Sequence, residues 1–517
     1  MATTSHTNGV LMIYTGGTIG SVRGDPKDPM SPLVSGGMER MLGFLPGYTR
    51  QNKRIALKSG VARLDVVSLE KPIDSSNISA RDWREMASII RENYDAYEGF
   101  VLLHGTDTMA YTSSALAFML ENLAKPVIIT GSQLPIDEAR SDAPRNVVAA
   151  IEFAAARSLG HPVAPEVCAL FHNRLFRGCR LRKMSASDYR GFDSPNLPPL
   201  GEAGEQFRVR SDLTRPPISD KPSRLDVAMD LDMNLMSLEV FPGIRPEALR
   251  AIFDLDGLRG VVLKTFGTGN APTTPEFLDA IEYGIEEKGL LFVNVTQCPQ
   301  GEVEQGRYGA SAGLLAAGVI SGLDMTPEAA LTKMAMVLGK KLAGGRRDEA
   351  DMMQLNLRGE QRASIHNLHF RPRDAGNNES AWPVTLRGEA DPLVLARDGD
   401  IFRGCLRGDA PHGDGKLEQA LLRLPGIKTA DGEPGTVEFQ VYLDEPGATE
   451  GSPKKGPTCL GAVNKRLSGE IDNIVMDITP HAERLMDADH NRGLTLVPKG
   501  GVHIEIQSAH VALMIGD

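Results

Sequence analysis

The chain is short of cysteine, of basic charge and of long apolar runs, and each scarcity removes a class of protein. Its five cysteines, Cys168, Cys179, Cys298, Cys405 and Cys459, are odd in number, widely spaced and without a Cys-x-x-Cys pair. A disulfide framework and a zinc ribbon are excluded on that pattern, and a reducing compartment is expected. With a net charge of −11 and a pI near 5.6 the chain has no basic footprint. Nucleic acid and anionic membrane are therefore not expected partners. Met1 to Gly9 has no basic region, and the apolar run after it is about five residues long before glycines intervene. No secretory signal or transmembrane span is legible, so a cytoplasmic location is expected. There is no repeat of 20 to 50 residues and no long low-complexity tract.

What remains is a 517-residue chain, too long for one ordinary core, for which two to four domains are expected. From residue 8 to about 200, short β-rich runs alternate with helical stretches. Val10 to Tyr14, Leu64 to Leu69, Phe100 to Leu103, Val127 to Thr130 and Val167 to Phe171 read as strands. Ser79 to Tyr97, Thr112 to Leu123 and Arg145 to Ser158 carry helical periodicity. Such alternation implies βαβ units and a mostly parallel sheet. Residues 201 to 233, with Pro216, Pro217, Pro222 and many charges, read as an interdomain connection. A second α/β stretch follows, with strands at Met236 to Phe241, Gly260 to Thr265 and Leu290 to Thr296. Its helices are expected at Thr274 to Lys288, Ala310 to Ala317 and Pro327 to Leu338. From about 372 the chain is rich in Gly, Pro and Asp, and apolar residues alternate through Val437, Phe439, Val441 and Leu443, through Val502, Ile504 and Ile506, and through Val511, Leu513 and Ile515. Period two over short runs predicts an antiparallel β domain, a sandwich. The expected domains are 8–215, 235–370 and 375–517.

Chemistry-bearing residues collect on the loops after the first-half strands. Thr15-Gly16-Gly17-Thr18-Ile19-Gly20 follows one apolar run, and His104-Gly105-Thr106-Asp107-Thr108-Met109 follows another. Asp74, Ser75 and Ser76 lie on a third loop, Ser132 and Gln133 on a fourth, and Lys183 sits in a polar stretch beyond Phe171. Open α/β sheets keep their ligands at the carboxyl ends of strands. Thr, Ser, Asp and Gly are also the ordinary residues of turns, so a single such loop says little. Together they suggest acyl transfer to a threonine hydroxyl. That hydroxyl is a poor nucleophile near neutral pH and needs a proton acceptor. A desolvated lysine can serve, with Asp107 orienting its ammonium form.

Rival motifs fail on context. Gly309-Ala310-Ser311-Ala312-Gly313 has the spelling of a nucleophile elbow, but no strand precedes it. Gly267-Thr268-Gly269 lacks the third glycine of a dinucleotide fingerprint, and no Walker loop is present. Asp487 to Asn491 starts like an EF-hand loop, yet glycine falls late at Gly493 and Pro498 takes the glutamate position. His104, at the end of a buried run, reads as structural.

These residues resemble type I (cytoplasmic) L-asparaginases over the first 370 or so positions. The resemblance rests on Tyr-Thr-Gly-Gly-Thr-Ile-Gly at 14 to 20, Asp-Ser-Ser at 74 to 76, His-Gly-Thr-Asp-Thr-Met-Ala-Tyr at 104 to 111 and Thr-Gly-Ser-Gln at 130 to 133. It continues through Asn-Arg-Leu-Phe-Arg-Gly at 173 to 178, Ser-Pro-Asn-Leu-Pro-Pro-Leu at 194 to 200, Gly-Thr-Gly-Asn-Ala-Pro at 267 to 272, Asp-Met-Thr at 324 to 326 and Asn-Leu-Arg-Gly-Glu at 356 to 360. It implies hydrolysis of L-asparagine to L-aspartate and ammonia without metal or organic cofactor, by a homotetramer built as a dimer of intimate dimers. By position Thr18 matches the nucleophile, and Thr106, Asp107 and Lys183 match the second catalytic group. Ser75 and Asp107 would hold the substrate's α-carboxylate and α-amino groups, with contacts from Ser76. Backbone N–H groups near Gly17 and Thr106 would face the oxyanion, and Asn270 would support a neighbouring subunit's site.

The chain departs from the pattern in two places. Ser21 to Gly47 contains no tyrosine where the family commonly has one, and Met30 or its neighbours occupy the position. The last 145 residues lie outside the pattern, and faintly resemble the β-sandwich C-terminal domain of plant-type polyphenol oxidases at Leu494 to Gly501 and Val502 to Ile506. The oxidase's copper-binding histidine triads are missing, so an accessory domain is expected there. Relatives that act on glutamine or on lysophospholipid, and a catalytically weak asparagine sensor or scaffold, are the alternative functions.

Overall fold

A computed structural model describes residues 9–23, 25, 28, 30–31, 33–35, 41–215, 224–305 and 309–372. In the C-terminal stretch it describes 393–395, 402–407, 416–429, 435–443, 459–467, 472–478, 493–499, 504–506 and 509–516.

The first domain is organised by a ten-stranded sheet. Its strands are β1 (Gly9–Gly16), β2 (Tyr48–Thr49), β3 (Arg54–Leu57), β4 (Gly60–Ile73), β5 (Gly99–Leu103), β6 (Val127–Thr130), β7 (Val167–Phe171), β8 (Arg174–Arg177), β9 (Gly201–Ala203) and β10 (Phe207–Val209). In space they run β10-β9-β8-β7-β6-β5-β1-β4-β3-β2. The central five, from β7 to β4, are parallel, and both flanks are antiparallel. Strands β1, β5, β6 and β7 are buried along their whole length, which is why they appear as unbroken apolar runs. The chain passes from β1 to β4 on one side and returns to β5 on the other. A topological switch point therefore opens between β1 and β5.

Helix α1 (Ala80–Asn93) shows how local sequence sets an element. Ser79 donates from its backbone N and from Oγ to Asp82 Oδ2, both at 2.8 Å, closing the first turn. Trp83, Met86, Ala87 and Ile90 recur on one buried face. The helix stops at Asn93, short of the expected Tyr97, because Tyr94 and Tyr97 turn inward to pack on Phe100. Helices α2 (Met109–Met119) and α3 (Ala143–Ala155) also begin a few residues before their periodicity suggests. One apolar cluster covers the sheet face under α1 and α2, and a second lies under α3.

Residues 201–209 are not part of a connection: β9 and β10 extend the main sheet beyond β8. Their short runs are half exposed and carry no sustained alternation, so local sequence undersells them.

The second domain is a four-stranded parallel sheet of β11 (Leu235–Glu239), β12 (Gly260–Thr265), β13 (Leu291–Thr296) and β14 (Ile320–Ser321). Its helices are α4 (Pro246–Phe253), α5 (Pro275–Glu286), α6 (Gly309–Ala316), α7 (Pro327–Gly339) and α8 (Arg346–Gln354). The first apolar cluster continues through α7 into this sheet, so the two domains share a core. A strap at 356–362 crosses between them. Glu360 pairs with Lys333 of α7 at 2.6 Å with both side chains fully buried, and Arg180 of the first domain reaches Gly359 O at 2.6 Å and Asp324 Oδ2 at 2.6 Å.

Beyond the strap, Ala363–Pro372 pairs with Ala509–Gly516 and Phe402–Arg407, opening a third sheet. All its pairings are antiparallel, in the order Leu393–Leu395, Ile504–Ile506, Lys416–Thr429, Ala509–Gly516, Ala363–Pro372, Phe402–Arg407, Gly493–Lys499, Gly435–Leu443, Cys459–Leu467, with Asp472–Asp477 beside Lys416–Thr429. Val502 and residues 487–491 fall outside the described residues. Among the described residues, no helix is long and apolar enough to cross a membrane.

Candidate active site

Because β1, β4, β5 and β6 are parallel neighbours, the four loops singled out above leave the same edge of the sheet. Three of them touch. A Cβ on Gly17 would lie 2.4 Å from Gly105 Cα, and one on Gly105 would lie 2.4 Å from Ser75 Oγ. Such an approach requires glycine on both sides, and Gly17 also holds φ at +86°.

The first loop is anchored from below. Thr15, fully buried, donates its hydroxyl to Leu103 O of β5 at 2.9 Å, so it is a structural threonine. A β-bulge at this point shifts the β1 to β4 register and frees the chain to turn. Thr18 then opens a 3-10 turn, Thr18–Gly20, and is half-buried. Gly20 N and Ser21 Oγ both donate to Gly17 O, at 3.3 and 3.1 Å, and hold that turn.

The second loop carries a compact polar set. Lys183 Nζ donates to Thr106 Oγ1 at 3.0 Å and to Asp107 Oδ1 at 2.6 Å. Thr106 is buried, Lys183 about four-fifths buried, and Asp107 mostly exposed at 62 %. With its lone pair engaged by the lysine, the Thr106 hydroxyl has its proton left to donate. Lys183 reaches the site from the two-residue strand Arg182–Lys183, pinned against Phe192–Asp193.

Supporting contacts explain the remaining residues. Thr108 Oγ1 donates to Ser75 O at 2.7 Å, tying the second loop to the third. Asp74 caps its own turn, accepting from Ser76 N and Ser76 Oγ at 2.9 and 2.8 Å, and these bonds hold its carboxyl below the usual range. Ser132 and Gln133 turn away: Ser132 Oγ donates to Leu134 O, and Gln133 N donates to Asp142 at the start of α3. His104 is fully buried, and its Nδ1 must donate to Gly105 O at 2.6 Å, since a carbonyl can only accept. Burial pushes its pKa down to about 4, so it stays neutral. Ser311, in the elbow-like motif, is fully buried within α6. Local sequence gives no signal for the roles of Thr108 and Gly105, because each acts on a loop distant in sequence.

Asn270 lies on the second domain, where Phe266 and Asn270 bridge after β12. Its Oδ1 is buried and has no hydrogen-bond partner among the described residues. Met30 is 88 % exposed. Among the described residues, no group of three or more His, Cys, Asp or Glu side chains converges as a metal centre would require.

This geometry has close relatives. Residues 9–215 match the asparaginase N-terminal family, and residues 234–349 match the glutaminase/asparaginase C-terminal domain. L-asparaginase 1 of Escherichia coli K12 is 40 % identical over 351 residues, spanning 68 % of this chain and 97 % of that protein. The 60 kDa lysophospholipase of Homo sapiens is 38 % identical over 436 residues, spanning 80 % of this chain and 72 % of that one. The structure of L-asparaginase I from Vibrio cholerae superposes with a TM-score of 0.58 at 39 % identity, over 69 % of this chain and 99 % of that chain. The loops that meet at the β1/β5 switch point and the identity across both α/β domains lead to one conclusion: the chain belongs to the asparaginase family and is an enzyme of that family.

Proposed function

We propose that the enzyme hydrolyses L-asparagine to L-aspartate and ammonia through an acyl-enzyme on Thr18. The observation that carries this reading is the Lys183, Thr106, Asp107 set, held one glycine contact away from the Thr18 loop. Asp107 presents an exposed carboxylate to the substrate's α-ammonium, and Ser75 and Ser76, on the third loop, bind the α-carboxylate. Thr18 Oγ1 attacks the side-chain amide carbon. The oxyanion then faces backbone N–H groups near Gly17 and Thr106, a device whose loss in other acyl-transfer enzymes costs about 3 kcal/mol. Collapse expels ammonia, protonated through the Thr106 hydroxyl and Lys183. Water then attacks the ester and gives its proton back along the same pair, the water that took the Thr18 proton returns it to the departing Oγ1, and aspartate is freed.

Met30 has no group that can take a proton from Thr18, so we assign that step to a water molecule at the exposed side of the loop. Asn270 Oδ1, without a partner among the described residues, fits a role completed by a neighbouring subunit in a homotetramer, a dimer of intimate dimers. We place the enzyme in the cytoplasm, and take the C-terminal strands, with their faint likeness to the polyphenol oxidase domain, as an accessory domain.

Thr18→Ala should abolish ammonia release from asparagine in the folded protein, and normal turnover would end the assignment. The relative named a lysophospholipase supports a second reading, as an esterase on lysophospholipid. Glutamine hydrolysis and asparagine binding without turnover are further alternatives. Purified protein assayed with asparagine, glutamine and lysophosphatidylcholine, for ammonia and for fatty acid, separates them.

A further inference from the structure

The opposite edge of the first sheet holds a second collection of charge, which the reaction does not use. Helix α2 runs from the catalytic loop back to this amino edge. There, a cavity of about 310 Å³ opens between its end, the start of β7 and the strap. Arg177, Arg215 and Arg358 line it, with Glu166, Cys179 and Asn122.

Among the described residues the charges do not balance. Glu166 is consumed by Arg177 Nε at 2.7 Å and by the backbone N of Arg215 at 2.9 Å. Neither contact neutralises the Arg215 guanidinium. Instead, Arg215 Nη1 and Arg358 Nη1 both donate to the same acceptor, Leu357 O, at 3.1 and 2.8 Å. Two cations thus converge on one neutral carbonyl, with the two nitrogens within about 6 Å of each other, a separation at which like charges repel appreciably near a protein surface. Among the described residues the guanidinium of Arg358 has one ion-pair contact, Glu121 at 3.9 Å, which Lys340 already engages at 2.6 Å; Glu360 accepts from the Arg358 backbone N at 2.6 Å but is paired with Lys333. Burial first, and the Arg215 charge second, push the Arg358 guanidinium below its ordinary range. Cys179 adds no negative charge, because burial pushes its thiol up to about 12. At the end of α2, Arg358 Nε donates to Ala117 O at 3.0 Å.

We propose that this cavity is a binding site for a small dianion, a phosphate or a compact dicarboxylate, bridged between Arg215 and Arg358. Planar guanidinium forks suit either group through paired N–H···O contacts. The cavity volume lies at the lower end of the range for small-ligand pockets. Arg215 belongs to the first domain and Arg358 to the strap. A bound dianion therefore ties the strap to the first domain on the side away from Thr18.

The test is thermal unfolding of the full chain against inorganic phosphate and, separately, succinate, at constant ionic strength set with sodium chloride. One of the two should raise the melting temperature saturably. Arg215→Met, which keeps the aliphatic stem, should weaken that response at least tenfold, and Arg215→Lys should retain most of it. Asn122→Asp adds a carboxylate to the rim at an exposed position and should weaken the response at least threefold, independently of whether Arg215→Met folds. Phosphate or succinate alone succeeding identifies the class. No response to either dianion, or an unchanged response in Arg215→Met or Asn122→Asp, overturns the proposal.

Discussion

Replacing Gly17 by alanine should separate loop placement from backbone strain. The new Cβ would sit 2.4 Å from both Cα and N of Gly105 and 2.9 Å from His104 C, all backbone atoms that cannot rotate aside. Ordinary carbon contacts lie near 3.5 Å, so the two loops must part by about 1 Å. A misplacement of about 1 Å at reacting groups costs roughly 10²-fold in rate, close to 2.7 kcal/mol. Stability should fall as well, by about 1–2 kcal/mol for an alanine at φ +86° and by about 1–3 kcal/mol for overpacking. Gly160→Ala is the control. Gly160 has φ +87° but nothing within 4 Å of its virtual Cβ, so it should show the strain cost without the catalytic loss. The assay is ammonia release from asparagine, paired with urea unfolding of both variants. A folded Gly17→Ala enzyme that turns over within threefold of the parent would refute the claim that the Gly17 to Gly105 approach sets the site.

Other predictions follow from single contacts. Lys183→Met should lower kcat by about 10²–10⁴, as loss of a proton-transfer group does, and stopped-time ammonia assays would show it. His104, neutral when folded at a pKa of about 4 and near 6.5 when unfolded, contributes stability that is fully present above pH 6.5. That stability is lost as pH falls toward 4, by at most about 3 kcal/mol, because the unfolded chain binds the extra proton there. Urea titrations between pH 4 and 7 should therefore show a shallower slope for His104→Asn. Glu360 is pushed up by burial but held below its usual value by Lys333, whose own charge is disfavoured by burial. Lys333→Met should cost about 3–5 kcal/mol by stranding that carboxylate, and Lys333→Met with Glu360→Met should recover much of it. A single-variant loss below about 1 kcal/mol, the scale of an exposed pair, would contradict it.

Much of the architecture was legible because buried parallel strands write themselves as unbroken apolar runs and their helices as a 3.6-residue period. Val10 to Tyr14, Phe100 to Leu103, Val127 to Thr130 and Val167 to Phe171 lie within β1, β5, β6 and β7. The strands β9 and β10 were not legible, since half-exposed strands of three residues at the margin of the sheet leave too little pattern. Helix α8 is likewise hard to see, its first turn being Arg346, Arg347, Asp348 and Glu349.

Sequence by itself determined which residue types follow the parallel strands: glycine and threonine at 15–20, threonine and aspartate at 106–107, serines at 75–76. Those choices state a chemistry and a place along the chain. Tertiary structure alone decided which of them meet. The crossing from β4 to β5 around β1 puts the first two loops on either side of one crevice. Lys183 acquires a partner 76 residues away only when β7 and β8 dock beside β6. The same dependence brings Arg215 and Arg358, from different domains, onto one carbonyl. Local periodicity reports burial within a segment, whereas these contacts depend on strand order and domain docking, which no single segment encodes.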